Sequence, residues 1–279
     1  MPELPEVEST VRALRNTLLG KTFLSSLFRC KHLRYPIPIT LILRQLPQAV
    51  VTQVQRRAKY ILIQTSASGS LIFHLGMSGS LRVVNTSIEP LRHDHVDLVF
   101  TDSTVLRLND PRRFGALLWQ DNDQPLPLLQ HLGVEPLSPA FSTPYVVKRA
   151  AISSVSTKTF LMNQSVVVGV GNIYANEALF RSQIHPCTPV NLLSHADIRR
   201  LVHATKATLR SAIKQGGTTI RDFVNPSGIP GYFVQALSVY GKQGQPCCRC
   251  GSRLRHAKLA QRTTVWCPQC QPEHVALGQ

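Results

Sequence analysis

Two pairs of cysteines near the C-terminus constrain the fold of this chain more than any other feature. Each pair has the spacing C-x2-C, and 16 residues separate the two pairs. Four thiolates at this spacing are typical of zinc ribbons, in which they hold one Zn²⁺ in a closed tetrahedral site. Cys248 is a fifth cysteine in this region, but using it would give a C-x-C pair, which is a poorer chelate. We therefore expect one structural Zn²⁺ bound by Cys247, Cys250, Cys267 and Cys270.

The segment between the two cysteine pairs is basic and contains no acidic residue. It ends in a β-rich run at 263–266, which favours a small hairpin closed by the metal. Its cations are Arg253, Arg255, Lys258 and Arg262. Unopposed cations on such a hairpin are suited to phosphate contacts, and a solvated basic face is the alternative.

The charge of the whole chain indicates a polyanionic partner. Lys and Arg number 31 against 15 Asp and Glu, which gives a net charge of +16. Only 16% of the residues are charged, so the excess is one-sided rather than a paired surface. Nucleic acid is favoured over an anionic membrane because no basic amphipathic helix stands out. A generally basic protein without such a partner is the alternative.

Nothing in the sequence indicates a membrane or secreted protein. No apolar run approaches the ~20 residues that a membrane helix needs. No charged region followed by an apolar stretch marks a secretory signal. We therefore expect a cytoplasmic protein with no membrane partner.

The pattern of apolar residues predicts a strand-rich part followed by a helical part. Residues 5–19 carry an apolar stripe at helical spacing, and Gly20 is suited to end a helix. Short β-rich segments then predict a sandwich or a barrel. These segments are 49–55, 60–65, 70–75, 80–84, 96–100, 105–108 and 115–120. After a link rich in Pro, Asp and Ser, the predicted helices are 145–153, 157–163, 173–183 and 194–215.

The N-terminus offers an unusual nucleophile. Met1 is normally removed when the next residue is small, which would leave Pro2 with a free secondary amine. Such an amine condenses with a masked aldehyde to give a cationic iminium, which is a strong electron sink. Glu3 is placed to act as the neighbouring acid or base. The alternative is that Pro2 and Pro5 only stiffen the start of a helix.

Several motifs together resemble the bacterial formamidopyrimidine-DNA glycosylases, and the resemblance covers nearly the whole chain. Besides the zinc ribbon, the motifs are PELPEVE at 2–8, QRRAKY at 55–60, HLGMSGS at 74–80, HDHV at 93–96, DPRRFG at 110–115 and VGVGNIYANE at 168–177. The resemblance implies an α+β multidomain fold, in which an N-terminal β-sandwich with an N-terminal helix precedes a helix-two-turns-helix domain and a zinc-finger β-hairpin. The implied boundaries are 1–132, 133–228 and 229–279, the last including a short tail.

The same resemblance implies a bifunctional DNA glycosylase and AP lyase of base excision repair. The substrate would be double-stranded DNA that contains oxidised purines, namely 8-oxoguanine and formamidopyrimidines, and the enzyme would act as a monomer. Excision through a Schiff base would be followed by β,δ-elimination, which leaves a gap with 3′- and 5′-phosphates. Because the target base is stacked in the duplex, the damaged nucleotide must first be everted.

The resemblance also implies roles for individual residues. Pro2 would be the nucleophile and Glu3 the acid/base, with Glu6 and Glu177 as electrostatic support for the developing cation. Two cations would be proton donors, in β-elimination and δ-elimination respectively, although each could equally be a phosphate clamp. They are Lys59 and Arg262.

The remaining implied residues contact DNA. Met77, Arg112 and Phe114 would fill the void left by the everted nucleotide. The other predicted contacts are His74, His93, Ser153, Lys158, Asn172 and Tyr240. At Ser153 the chain departs from relatives that often carry Lys, which weakens that contact. The segment 215–219 would cover the everted purine.

Two alternatives stay open at this point. An endonuclease VIII-like glycosylase for oxidised pyrimidines would share Pro2, Glu3 and the ribbon, but it usually has Gly where Leu4 stands and lacks the three void-filling residues. A non-enzymatic zinc-ribbon protein that only binds DNA is the second alternative.

Overall fold

The computed structural model describes residues 2–122, 124, 126–217 and 236–273. The chain divides into two compact units. The first unit contains Met1–Gln130 and Gln215–Val234, and the second contains His131–Lys214 and Gln235–Gln279. Within the described residues, no helix is long and apolar enough to cross a membrane. The domain boundaries drawn from the sequence stay predictions.

Helix α1, Leu4–Leu18, opens the first unit and confirms the helix predicted there. A capping box forms at its start, in which the backbone N–H of Glu3 donates to Oε2 of Glu6 at 2.9 Å. Pro5 lies in the first turn, where its missing N–H costs no helical hydrogen bond. After the helix, Gly20 takes a φ of +80°. The fully buried apolar residues of the helix are Leu4, Val7, Val11, Leu14 and Leu18.

Two four-stranded antiparallel sheets make up most of the first unit. The strands are β1 (Phe23–Phe28), β2 (Val51–Arg57), β3 (Tyr60–Thr65), β4 (Gly69–His74), β5 (Ser80–Asn85), β6 (Asp94–Phe100), β7 (Thr104–Asn109) and β8 (Ala116–Asp121). One sheet has the order β1-β6-β7-β5 and the other β2-β3-β4-β8. The predicted sandwich is confirmed, and all seven predicted segments are strands within one or two residues.

The two sheets share one apolar core with α1 and with a short helix α2, Ile39–Gln45. Phe23 of β1 stacks on Phe100 of β6 with ring centres 4.6 Å apart. Helix α1 packs on β2 and also contacts β3 and β5, so it touches both sheets. A further short helix, α3, spans Pro127–Gln130.

A buried ion pair joins neighbouring strands of the first sheet. Asp97 of β6 faces Arg107 of β7, and Nε of Arg107 donates to Oδ1 of Asp97 at 2.7 Å. Arg29, just after β1, donates to Oδ2 of the same carboxylate at 2.6 Å. Burial alone would raise the pKa of Asp97, but the hydrogen bonds from Arg29 and Arg107 outweigh it and the pKa is lowered. The carboxylate therefore stays ionised and ties three strands together.

The second unit contains helices and the cysteine hairpin. Its helices are α4 (Thr143–Ala150), α5 (Thr157–Met162), α6 (Asn172–Ser182) and α7 (His195–Lys214). Ser142 and Ser156 cap α4 and α5 with their hydroxyl oxygens. Helices α6 and α7 pack against each other. The four predicted helices are confirmed.

The hairpin consists of antiparallel strands β9 (Arg255–Leu259) and β10 (Arg262–Trp266). Its inner side shares a small core with α6, formed by Phe180, Val239, Cys247, Leu254, Val265 and Cys267. This core is separate from the one in the first unit. The predicted zinc-finger β-hairpin is confirmed.

We predict that Asp97→Asn destabilises the protein by about 3 kcal/mol at pH 7, because buried Arg107 loses its hydrogen-bonded carboxylate and keeps only the carboxylate of Asp94, 3.8 Å away. The matched control is Asp102→Asn, which removes an exposed pair with Lys21 and should cost less than about 1 kcal/mol. Urea unfolding of both variants measures the difference. Because the pKa of Asp97 is lowered by folding, its contribution is present above the unfolded pKa and lost as pH falls through the folded one. Equal losses in the two variants would contradict the prediction.

Candidate active site and nucleic-acid interface

The N-terminus is held in place just before α1 begins. Pro2 and Glu3 are buried, and Glu6 is fully buried. The hydrogen bond from the Glu3 backbone to the Glu6 carboxylate fixes the path of the chain that leads to Pro2. The predicted nucleophile, acid/base and electrostatic group thus lie within one capped helix start. Met1 lies outside the described residues, and its removal stays a prediction.

Glu6 also meets the segment predicted to cover an everted base. Gly217 has a φ of +82°, and a Cβ at this position would lie 2.9 Å from Oε1 of Glu6. Glycine therefore fits here for two reasons: it adopts a positive φ without strain, and a larger residue would clash with Glu6. Residues 218 and 219 of the predicted segment lie outside the described residues.

Lys59 lies in the turn between β2 and β3 and is largely buried. Arg56 braces this turn, because it donates to the Ala58 carbonyl at 2.9 Å and to Oε2 of Glu8 on α1 at 3.0 Å. Burial would raise the pKa of Glu8, but hydrogen bonds from Arg12 and Arg56 outweigh it and the pKa is lowered. The turn that carries Lys59 is therefore tied to the helix that carries the N-terminus.

His74, at the end of β4, is a neutral hydrogen-bond donor. Its Nδ1 accepts from the backbone N–H of Gly76 at 3.0 Å, so the neutral ring carries its proton on Nε2. The ring centre lies 5.0 Å from that of Tyr60. Burial, together with the charges of Lys59 and Arg34, lowers the pKa of His74 to about 4. A neutral imidazole N–H can bond a phosphate oxygen without carrying charge.

Asp110 joins the two loops that carry the predicted void-filling residues. It is 0% exposed, and its Oδ1 accepts from the Ser78 hydroxyl at 3.0 Å while its Oδ2 accepts from the backbone N–H of Gly115 at 2.8 Å. The Ser78 oxygen in turn accepts from the backbone N–H of Arg112 at 3.3 Å. The loop with Met77 and the loop with Arg112 are thus bound to one carboxylate.

Met77 and Phe114 protrude from these loops. They are 40% and 46% exposed, so both side chains are accessible to a partner. The guanidinium carbon of Arg112 lies 4.7 Å from the centre of the Phe114 ring. A Cβ at Gly76 would lie 2.4 Å from the Phe114 carbonyl carbon, so the two loops meet backbone to backbone. The structure brings the three predicted residues onto one pair of joined loops.

The His93-Asp94-His95 run lacks the geometry of a metal triad. Asp94 is buried and accepts from Arg82 at 2.6 Å, and Nε2 of His95 lies 3.0 Å from the Asp110 carbonyl. Asp94 and His95 are therefore engaged in structural hydrogen bonds. His93 is half-buried, and its carbonyl accepts from the Asp110 N–H at 3.0 Å. Its contact with DNA stays a prediction.

In the second unit, Lys158 lies beneath β10 and holds it. It is 1% exposed, and its Nζ donates to the Thr263 carbonyl at 3.0 Å and to the Thr264 hydroxyl at 2.7 Å. Asn172, at the start of α6, donates to the same Thr263 carbonyl at 3.1 Å. These bonds fix the exposed Arg262, which directly precedes Thr263. The phosphate contacts of Lys158 and Asn172 stay predictions.

Glu177 of α6 binds a segment of backbone. Its carboxylate accepts from the N–H groups of Ser238, Val239 and Tyr240 at 2.8, 2.9 and 2.9 Å. Three such bonds anchor the half-buried Tyr240 to α6. The electrostatic role predicted for Glu177 is not tested by this contact.

Ser153 lies half-buried after α4, where its backbone N–H donates to the Ala150 carbonyl at 3.0 Å. Its contact with DNA stays a prediction.

The four predicted zinc ligands form one group. Their Sγ atoms all lie within 4.8 Å of one another, with Cys247–Cys270 at 3.9 Å and Cys250–Cys267 at 3.5 Å. Sulfurs bound tetrahedrally to one zinc at ~2.3 Å would lie ~3.8 Å apart, so these thiols fit the metal. Cys248 is exposed and lies outside the group. The chain holds one structural Zn²⁺ through these four cysteines, as predicted.

Three supporting residues escaped the sequence-based prediction. Arg34 lies close enough to His74 to lower its pKa, and its N–H donates to the Gly115 carbonyl at 2.9 Å. Asp110 and Thr264 are fully buried and act only through hydrogen bonds to other residues of the protein. Asp110 belongs to the DPRRFG motif, which was the single signal that could have indicated it; Arg34 and Thr264 lie in no motif.

Known proteins match this chain over nearly its whole length. The family model "Formamidopyrimidine-DNA glycosylase N-terminal domain" matches residues 1–117, and "Formamidopyrimidine-DNA glycosylase H2TH domain" matches 132–224. The model "Zinc finger found in FPG and IleRS" matches 244–272. A formamidopyrimidine-DNA glycosylase of Xanthomonas euvesicatoria pv. vesicatoria is 54% identical over 271 residues, which are 97% of this chain and 100% of that protein. One of Xylella fastidiosa is 54% identical over 272 residues, with the same coverage.

Solved structures are similar over the same length. MutM (Fpg) of Thermus thermophilus superposes with a TM-score of 0.86 at 36% identity, covering 98% of this chain and 100% of that one. The Lactococcus lactis Fpg in complex with DNA that contains an abasic site has a TM-score of 0.89 at 31% identity, covering 97% of this chain and 100% of that one.

We predict that the metal content follows the geometry of the cysteine group. The wild-type chain should contain one zinc per molecule by mass spectrometry of the metal, and Cys250→Ser should lose it because one of four ligands is gone. Cys248→Ser is the matched control and should keep the zinc. Chelation should change the fluorescence of Trp266, measured in a Trp119→Phe variant, while the sheets of the first unit persist in circular dichroism. Zinc loss in Cys248→Ser would contradict the assignment.

Proposed function

This chain belongs to the formamidopyrimidine-DNA glycosylase family, and from that membership we propose how its residues divide the reaction. The protein is a bifunctional DNA glycosylase and AP lyase of base excision repair that removes formamidopyrimidines and other oxidised purines from damaged duplex DNA. The observation that carries this conclusion is the identity of more than half the residues with such enzymes over their full length. It also favours this function over the endonuclease VIII-like and the non-enzymatic alternatives.

We propose that 8-oxoguanine is among the purines removed and that the enzyme acts in the bacterial cytoplasm, where its DNA substrate lies. The relatives described above are bacterial proteins that this chain covers from end to end. The monomeric state stays a prediction.

Pro2 begins the reaction. Its amine forms a bond to C1′ of the everted nucleotide while the bond from C1′ to the base breaks, and the proton that the amine loses neutralises the departing base. Opening of the sugar ring then gives an iminium at C1′, with the ring oxygen taking a proton from Glu3. The burial of Pro2 and Glu3 and the capping box support this assignment, because they hold amine and carboxylate side by side before substrate arrives.

The iminium then drives strand cleavage. It acidifies C2′, so loss of a C2′ proton expels the 3′-phosphate, and a second elimination expels the 5′-phosphate. Lys59 is proposed to serve the first elimination, and its braced turn in the same unit as Pro2 supports this. Arg262 is proposed to serve the second, and its fixed place beside Thr263 supports this. Whether each donates a proton or clamps a phosphate is left to experiment.

Eversion of the nucleotide is assigned to Met77, Arg112 and Phe114. Phe114 can wedge a base step, Met77 can fill an irregular gap and Arg112 can bond the orphaned base. The Asp110 carboxylate supports this role, because it binds both loops and so fixes the backbone from which the three side chains extend. Rigidity matters here because unstacking a base costs a few kcal/mol, and a mobile wedge would lose part of that to its own entropy.

We predict that Glu3→Gln lowers the excision rate by about 10²- to 10⁴-fold, the usual contribution of a positioned acid/base. Duplex binding should be preserved, because the backbone of residue 3 still donates to Glu6. Single-turnover excision from an 8-oxoguanine:cytosine duplex gives the rate. Borohydride trapping should capture a covalent adduct with the wild-type enzyme but not with a variant whose start is extended by one residue, which removes the secondary amine. Equal trapping by the extended variant would rule out Pro2 as the nucleophile.

A second prediction concerns Arg262. If it clamps a phosphate, Arg262→Ala should reduce the slope of log affinity against log salt by about one unit. Arg262→Lys keeps the charge and should keep the slope, so it is the matched control. The ratio of β- to δ-elimination products on a sequencing gel then reports proton donation separately. An unchanged slope in Arg262→Ala would place this side chain away from the phosphates.

A further inference from the structure

Helices α6 and α7 enclose a pocket that the proposed reaction does not use. Its volume is about 390 Å³, and its walls are mostly apolar. The residues that line it are Arg181, Ser182, Arg199, Arg200, His203 and Ala204. Ala204 is buried between the helices, and the stems of the arginines form the remaining apolar wall. An apolar recess with a cationic rim is thus open on the second unit.

The rim of the pocket carries three arginines. Arg200 is bound to Asp197 and to the Ser182 carbonyl. Arg181 and Arg199 are exposed, and no ion pair involves either of them among the residues the structure describes. Two guanidinium groups at one pocket mouth are suited to carboxylates, which they can bind through two parallel hydrogen bonds.

The positive charge continues along α7. Basic residues recur on one face of the helix at helical spacing, and they are Arg199, His203, Lys206, Arg210 and Lys214. Asp197 is the single acidic residue in this helix. Lys206 is bound to the Ser138 carbonyl at 3.0 Å, which leaves the others toward solvent. This basic stripe leads away from the pocket and would attract an extended acidic chain.

The pocket lies at the C-terminal end of α6, opposite the end that carries Asn172. Asn172 begins α6 and binds β10, whereas Arg181 is nine residues further on, about 14 Å along the helix axis. A phosphate backbone could pair with the rim, but it carries no apolar group to fill the recess. A peptide can supply both carboxylates and an apolar side chain. The combination of charge and apolar wall therefore favours a protein partner.

We propose that this pocket and the basic stripe of α7 dock an acidic, extended segment of a partner protein through one large apolar side chain. The apolar side chain enters the recess beside Ala204, and flanking carboxylates pair with Arg181 and Arg199. The rest of the segment lies along α7. Such a contact couples the repair enzyme to another protein without using its catalytic residues.

Fluorescence anisotropy of the zinc-loaded, full-length protein tests the proposal. The probe is a short fluorescein-labelled peptide of aspartate and glycine that ends in phenylalanine. We expect binding in the micromolar range that weakens with salt. Arg199→Glu and Arg181→Glu should each weaken it about tenfold or more, because a charge-assisted hydrogen bond is replaced by repulsion. Arg44→Glu, the same charge change on exposed α2 of the first unit, should have little effect, and excision activity should be unchanged in Arg199→Glu.

Three results would overturn the proposal. A probe with alanine in place of phenylalanine that binds equally well would show that the recess is not used. An equal loss of affinity for the peptide in Arg44→Glu would show that binding depends only on the net charge of the protein. A fall in affinity for undamaged duplex DNA in Arg199→Glu, matching the fall for the peptide, would make this surface part of the DNA interface instead.

Discussion

The rest of the structure depends on the burial of helix α1. A chain terminus is normally the most mobile part of a protein, yet the proposed nucleophile is the terminal amine. Four apolar residues of α1 are fully buried in the shared core, and the Glu3–Glu6 capping box fixes the entry into the helix. Arg56 and Glu8 extend this order to the turn that carries Lys59. The sandwich therefore holds the start of the chain in one place and so positions the proposed nucleophile.

Elsewhere, buried charged groups hold loops in place through hydrogen bonds to specific atoms. Apolar packing is not directional and cannot do this. Asp110 receives hydrogen bonds from two loops, Lys158 bonds β10, and Glu177 receives three backbone N–H groups. Burying such charges is costly unless every one is bound. In return, the groups proposed to contact DNA keep one geometry on an irregular backbone, which lowers the entropy cost of ordering them when DNA binds.

Much of the fold was predictable, because α1, the sandwich strands and α7 follow clear periodic patterns. Strand β1 was not predicted, since Leu24 and Leu27 are exposed and break the alternation that marks a half-buried strand. The zinc ligands were predictable because their spacing is local. Lys158 shows the limit of such reasoning: the family resemblance predicts a DNA contact for it, which stays a prediction, but no pattern indicated that its ammonium binds Thr264, 106 residues away. Contacts between residues so far apart in the sequence arise only from tertiary packing. For the same reason, the hydrogen bonds that join two loops to Asp110 could not be predicted from its motif.

The close approach of Gly217 to Glu6 has a thermodynamic consequence. The same carboxylate that caps α1 borders the segment after α7, so any ligand that displaces Gly217 also changes the surroundings of the residue that orders the N-terminus. Linkage is reciprocal: a ligand that perturbs the N-terminal amine must alter the free energy of that segment by the same amount. The conformation of this segment and the order of the N-terminus are therefore coupled equilibria, joined through the side chain of Glu6.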